Sequence, residues 1–149
     1  MAAEPRWLST GDQAIWRNYL RATMEVREAL ERDLLAAHDL SLNEYEVMVV
    51  LSEHPDHMVR MSVLADDLVN SRSRLTHTVH RMEKRGLVRR RNCREDGRGV
   101  NCQLTDSGWE TLVRAAPTHV ESVRRHIFDR LSREEIDALG RIMAKLGDV

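Results

Sequence analysis

Residues Ser71 to Thr105, SRSRLTHTVHRMEKRGLVRRRNCREDGRGVNCQLT, constrain the fold of this chain more than any other segment. Leu75, Val79 and Met82 recur at the spacing of one helical face, and Gly86 stands where a helix can end on a left-handed residue. Beyond it, Leu87-Val88 and Val100-Asn101-Cys102-Gln103-Leu104 bracket the turn Glu95-Asp96-Gly97-Arg98-Gly99. The second run alternates with the period of two that a half-buried strand requires. Glycine permits the positive φ of a tight hairpin end. The segment therefore predicts a helix running directly into a two-stranded hairpin.

The same segment holds the positive charge. From Ser71 to Arg98 there are ten basic side chains (Arg72, Arg74, Arg81, Lys84, Arg85, Arg89, Arg90, Arg91, Arg94 and Arg98) against Glu83, Glu95 and Asp96, an excess of seven. The whole chain of 149 residues carries only −1, so the remainder is acidic by eight charges. A local basic footprint can attract phosphates while an acidic remainder limits indiscriminate binding. A helix followed by a basic hairpin is how a winged helix-turn-helix presents one element to the major groove and another to the backbone or minor groove. Double-stranded DNA is the expected partner.

The flanking sequence is helical. Ser9 and Asp12 have capping-box spacing, and Ile15, Tyr19, Ala22, Val26, Leu30 and Leu34 follow at helical intervals over about 25 residues. Ser41 with Glu44 opens a second helix through Tyr45, Met48, Val49 and Leu51, ended by His54-Pro55. A short third helix is expected with Ser62 as cap and Leu64, Ala65, Leu68 and Val69 inside. Asn70-Ser71 makes the turn, and Ser71 caps the fourth helix. Thr105 or Asp106 caps a fifth, which Pro117 is expected to kink or interrupt before it resumes through Val120, Val123, Ile127 and Leu131. Ser132 with Glu135 caps the last, with Ile136, Leu139, Met143 and Leu146 forming an a/d-like seam. The predicted class is mainly α with a small β-hairpin wing, in the order α-α-α-α-β-β-α-α. Residues 1–40 and 106–149 are expected to be dimerisation helices, and 41–105 the DNA-binding region.

On a wheel of 100° per residue, Ser73, His77, His80 and Lys84 lie about 140–200° from Leu75, with Thr76, Arg74 and Arg81 on the flanks. The first residues of a recognition helix reach base edges, so Ser73, Arg74, Thr76 and His77 are assigned to base readout or adjacent phosphates. Arginine can bond guanine bidentately, and a threonine methyl can meet thymine. Arg72, His80, Arg81 and Lys84 complete the helix surface, the three cations being placed for phosphates. Arg91, Arg94, Asp96 and Arg98 form the wing assignment, with Asp96 aiming Arg98 into a minor groove through a charge-assisted bond. The bland alternatives are a solvated charged helix face and an ordinary hairpin with a surface ion pair.

The runs M-S-V-L-A-D-D-L, S-R-S-R-L-T-H-T-V-H-R-M-E-K-R-G-L-V and D-G-R-G-V-N-C-Q-L-T-D-S-G together resemble the multiple-antibiotic-resistance-regulator (MarR) family of winged-helix transcription factors. The most specific pieces are D-x-R at Asp96 and Arg98 and L-T-x-x-G from Leu104 to Gly108. The resemblance implies a homodimer held by its first, fifth and sixth helices, bound to a pseudo-palindromic operator. It also implies a repressor that small phenolic ligands, oxidants or metals release. Ser73, Arg74, Thr76 and His77 match the family's major-groove positions, and Arg98 its wing arginine. Gly97 and Gly99 depart from the bulkier residues of many members.

Signals for an effector are weaker. Trp16, Tyr19, His38 and Tyr45 are candidate linings of a pocket between dimerisation helices and winged region. Cys93 and Cys102, nearly symmetric about the turn, are candidates for a reversible disulfide, with nearby arginines favouring thiolate, although disulfide geometry is narrow. His54/His57, His77/His80 and His119/His126 lack a strong ligand signature, so no metal and no cofactor are expected. The chain shows no nucleophile elbow, phosphate loop or zinc-protease helix, which argues against an enzyme. A DNA-free helical adaptor would have little reason to concentrate seven positive charges in one segment. No signal core or membrane-length apolar run is present, which reads as a cytoplasmic protein, nucleoid-associated when bound to DNA.

Overall fold

A computed structural model describes residues 4–68, 72–93 and 99–147. The expected turn at Asn70-Ser71, the Ser71 cap, Val69 and the wing-tip residues Arg94, Asp96 and Arg98 lie outside them. Six helices are described: α1 (Thr10–His38), α2 (Leu42–Glu53), α3 (Met61–Asp67), α4 (Arg72–Lys84), α5 (Asp106–His126) and α6 (Arg133–Leu146). Three strands, β1 (Met58–Arg60), β2 (Val88–Asn92) and β3 (Val100–Leu104), form an antiparallel sheet in the order β1-β3-β2.

The helix starts follow their caps. Ser9 accepts from the Asp12 N–H, Thr105 from Gly108, and Ser41/Glu44 and Ser132/Glu135 are reciprocal capping boxes. Each satisfies donors that a helix start otherwise leaves orphaned. The core of the winged unit is Met48 and Leu51 of α2, Leu64 of α3, Leu75, Val79 and Met82 of α4, and Val88 and Cys102 of the sheet, none more than 2% exposed. At the close of α4, Gly86 adopts φ 73°, the left-handed conformation a glycine tolerates without strain.

Three expectations need correction. The order omitted β1: three residues are too short to show a period, and Met58–Arg60 is a strand only because β3 lies alongside, with Val59 opposite Cys102. The cap of α3 is Arg60 rather than Ser62, which sits inside the first turn, and Arg60 makes no side-chain capping bond. Leu68, expected on the inner face, is half-buried at the C-terminal end of α3 and packs against the core. Pro117 does not interrupt α5, which is continuous to His126 and is followed by a 3-10 turn over Phe128–Arg130. Buried Leu112, Ala115 and Ser122 hold both halves of α5 against the rest of the chain, so the ring costs a backbone bond without ending the helix.

Along the contact of α1 with α5, polar pairs fix the register. Ser122 Oγ donates to Asp33 Oδ2 at 2.6 Å, and the His38 Nε2 and Thr118 Oγ1 pair are 2.8 Å apart. That hydrogen bond from Ser122, with help from Arg32 and Arg125, holds the Asp33 carboxyl below its usual range despite desolvation. The outer faces are apolar. Ile15, Trp16, Met24, Val120, Ile142, Met143 and Leu146 are exposed, and α6 has no buried residue.

Candidate nucleic-acid interface

The amphipathic division of α4 determines which side chains can meet a partner. Leu75, Thr78, Val79 and Met82 are buried, whereas Arg72, Ser73, Arg74, Thr76, His77, His80, Arg81 and Lys84 are exposed. Arg72, Ser73, Thr76, His77 and His80 line one shallow depression on the outer face. The Thr76 hydroxyl donates to the Arg72 carbonyl at 2.8 Å, one turn back, which ties down its polar group. Arg74 differs from its neighbours: it borders a separate cavity between α4 and the α1–α2 region.

The basic residues divide into two sets. Arg85 donates to the buried Glu44 carboxylate at 3.0 Å and to the Asp39 carbonyl at 2.7 Å, stapling the end of α4 to the start of α2. Arg90 bonds Glu83 through Nε at 3.1 Å and Nη2 at 2.8 Å, joining sheet to helix. That guanidinium and the Arg90 N–H hold the Glu83 carboxyl below its ordinary value. Arg89 donates to Gln103 across the β2–β3 pair. Arg85 and Arg90, counted in the sequence as part of the basic excess, are committed to the fold by their carboxylate partners, whereas Arg89 stays exposed. Arg72, Arg81, Lys84 and Arg91 are exposed with no ion-pair partner among the described residues. Arg60, unassigned in the sequence because a three-residue strand carries no pattern, joins Arg72 around a second concavity beside the depression.

Behind α4, Gly108 explains the L-T-x-x-G run. A Cβ there would stand 2.0 Å from the Leu87 carbonyl oxygen, so the α5 backbone approaches the wing root as only glycine allows. Thr105 Oγ1 donates to the Gly86 carbonyl at 2.6 Å and accepts from Gly108 N–H at 3.0 Å. Recognition helix, hairpin and α5 are thereby fixed to one another.

The candidate sensor residues are not gathered. Trp16 stacks on Tyr19 at 5.8 Å on the exposed face of α1, and His38 is engaged with Thr118. Only Tyr45 of the four reaches the cavity of about 650 Å³ that Arg27, Glu46, Arg74 and His119 also line. There Tyr45 lies 4.4 Å from the His119 ring; burial pushes the phenol up and the imidazole down, so both are neutral near pH 7. Across the hairpin, Cys102 is opposite Arg90, whereas the Cys93 N–H bonds Gly99. The thiols are thus three strand positions out of register, about 10 Å along the strand, too far for a bridge. Burial also pushes the Cys102 thiol up to about 12, the reverse of the thiolate expected from nearby arginines. Both cysteines are free, and the described residues contain no metal-ligand cluster. No described helix is long and apolar enough to cross a membrane.

Comparison with known proteins agrees with this geometry. Residues 38–99 match the model of the MarR family. The transcriptional regulator HosA of Escherichia coli is 32% identical over 108 residues, covering 72% of this chain and 78% of that protein. PecS, an HTH-type transcriptional regulator of Dickeya dadantii, is 28% identical over 127 residues, covering 85% and 75%. Among solved structures, the MarR family regulator Sco3205 of Streptomyces coelicolor, determined in complex with DNA, superposes with a TM-score of 0.92 at 42% identity, covering 97% of this chain and 91% of that one. AbsC of the same organism gives 0.89 at 41% identity, with 97% of each chain covered. With its recognition helix, wing root and flanking helices in the same arrangement, this chain belongs to the MarR family of winged-helix transcriptional regulators.

Proposed function

We propose that the protein is a homodimeric repressor that binds a pseudo-palindromic operator and is released by a small ligand. The observation that carries the DNA-reading part is the exposed depression on α4, where Ser73, Thr76 and His77 stand together opposite the buried Leu75–Val79–Met82 stripe. Ser73, Thr76 and His77 read base edges, with Arg74 and His80 at the margins. Arg72, Arg81, Lys84 and Arg91 neutralise phosphates, and the wing residues Arg94, Asp96 and Arg98 reach the adjacent minor groove. Residues 41–105 serve as the DNA-binding region. Residues 1–40 and 106–149 hold two copies together, a role supported by the apolar, unburied face of α6. The protein acts in the cytoplasm at the nucleoid and performs no catalysis.

The effector belongs in the 650 Å³ cavity, because its lining spans both regions: Arg27 and His119 of the dimerisation helices on one side, and Tyr45 and Arg74 of the DNA-binding region on the other. An occupant that contacts both sides differently in two arrangements shifts their balance. Selection from a random duplex pool tests the regulator reading. The winning sequence is expected to hold half-sites about 10 bp apart and to beat scrambled DNA by ~10³-fold or more. Thr76 or His77 substitution then changes base preference, whereas Arg98→Ala weakens all duplexes alike and lowers the salt slope by about one. Equal affinity for every sequence would overturn the reading.

A further inference from the structure

We infer that Arg85 is a positioning residue that sets the half-site spacing of the operator, by fastening the end of the recognition helix to the corner between α1 and α2. This role rests on the homodimeric, operator-binding reading above and identifies the joint through which the dimer frame places each base-reading face.

The corner is built to be rigid. Asp39 closes α1 in the left-handed conformation, with φ 50° and ψ 43°. Two residues on, Ser41 opens α2 through its capping box with Glu44. Leu40 and Leu42, on either side of Ser41, are buried. Side chains of α1 also hold the start of α2: Glu31 accepts from the Leu42 N–H, and Arg27 pairs with Glu46 at 3.1 Å.

From the end of α4, Arg85 reaches both arms of that corner. Its guanidinium donates to the Asp39 carbonyl at 2.7 Å and to the Glu44 carboxylate at 3.0 Å. Glu44 is buried, and the same Oε2 accepts from the Ser41 N–H at 3.0 Å. A buried carboxylate and a backbone carbonyl give the fork one orientation, which an exposed ion pair does not. The Arg85 N–H still donates to the Arg81 carbonyl at 3.2 Å, so the anchored residue is continuous with the helix.

The anchor acts through a lever. Ser73 and Thr76 precede Arg85 by 12 and 9 residues, roughly 18 and 14 Å along the helix axis. A tilt of about 10° at the anchored end moves them by roughly 2–3 Å, most of the ~3.4 Å step of one base pair. Two-fold symmetry repeats that displacement in the second protomer. The orientation of α4 on the α1–α2 corner thus decides the separation of the two reading faces to about one base pair.

The test compares wild type, Arg85→Ala and the double variant Arg85→Ala/Glu44→Gln. Four duplexes are used: the selected operator, that operator with one base pair inserted or removed between half-sites, and a single half-site. The double variant removes the carboxylate that Arg85→Ala leaves buried without its partner, while glutamine still serves a capping box. Wild type is expected to lose about 100-fold in affinity at either altered spacing, and both variants less than about tenfold. Half-site affinity and salt slope stay as in wild type, because Arg85 meets neither base nor phosphate. A salt slope lower by about one in Arg85→Ala overturns the role in favour of a phosphate contact. Equal loss on all four duplexes in both variants overturns it in favour of a bond that only stabilises the fold. A spacing-selective wild type with equally selective variants overturns the role of Arg85 alone, whereas a wild type indifferent to spacing overturns the operator reading and this role with it.

Discussion

Gly108→Ala isolates the joint between wing and dimer frame. Gly108 lies in the first turn of α5, where alanine is normally better than glycine by about 1 kcal/mol. Against that gain, the new Cβ would stand 2.0 Å from the Leu87 carbonyl oxygen and 2.7 Å from Leu104 Cδ1. The backbone oxygen cannot swing aside, because it accepts from the Thr105 N–H at 3.1 Å. Overpacking of this kind costs about 3 kcal/mol. Pushing α5 outward also stretches the Thr105–Gly108 cap, worth about 1 kcal/mol. The net expectation is a loss of about 3 kcal/mol, or roughly 9 °C in Tm for a chain of this length. Urea melts at one fixed protomer concentration measure it, since association shifts apparent stability. Gly140→Ala is the reference: no atom lies within 4 Å of its Cβ position in mid-α6, so the propensity gain of about 1 kcal/mol stands alone. If both variants melt at or above wild type, the close approach at Leu87 does not exist and the reasoning fails.

Glu83→Gln should flatten the acid limb of stability. The folded carboxyl is depressed by Arg90, so its contribution is complete above the ordinary value of 4.5 and disappears as pH falls below it. The variant is therefore expected to be less stable than wild type at pH 7 and to converge with it at low pH; parallel curves in urea melts would contradict the assignment. Cys102, with its thiol pushed up to about 12, is expected to resist iodoacetamide at pH 8 in the native protein and to react after unfolding. Mass spectrometry that found Cys102 alkylated natively, or a Cys93–Cys102 disulfide after mild oxidation, would reopen the redox reading. Ile142→Asp, on the unburied apolar face of α6, is expected to convert a dimer to monomers by light scattering; an intact dimer would move the interface elsewhere.

Much of the fold was legible because it is written locally. Ser41 with Glu44, Ser132 with Glu135, and Thr105 each announce a helix start through a bond that spans three residues. Leu75, Val79 and Met82 identify the buried side of α4 by spacing alone, and Gly86 ends it through a conformation intrinsic to glycine. What was not legible depends on distant chain. β1 exists through β3, forty-odd residues away along the chain, and Pro117 stays helical through packing that its neighbours in sequence do not reveal.

The candidate site divides in the same way. By itself the sequence determined that α4 turns a polar, basic face outward, since helical periodicity separates that face from the core. It also determined that the positive charge is concentrated there and in the hairpin, since charge is a property of composition. Only the tertiary structure decided which of those charges remain for a partner. Arg85 and Arg90 are drawn into bonds with Glu44 and Glu83, because folding brings carboxylates to them that desolvation would otherwise leave unpaired. Only the tertiary structure, too, put Arg60 beside Arg72 and Cys93 out of register with Cys102, because strand pairing sets both and a linear pattern encodes neither.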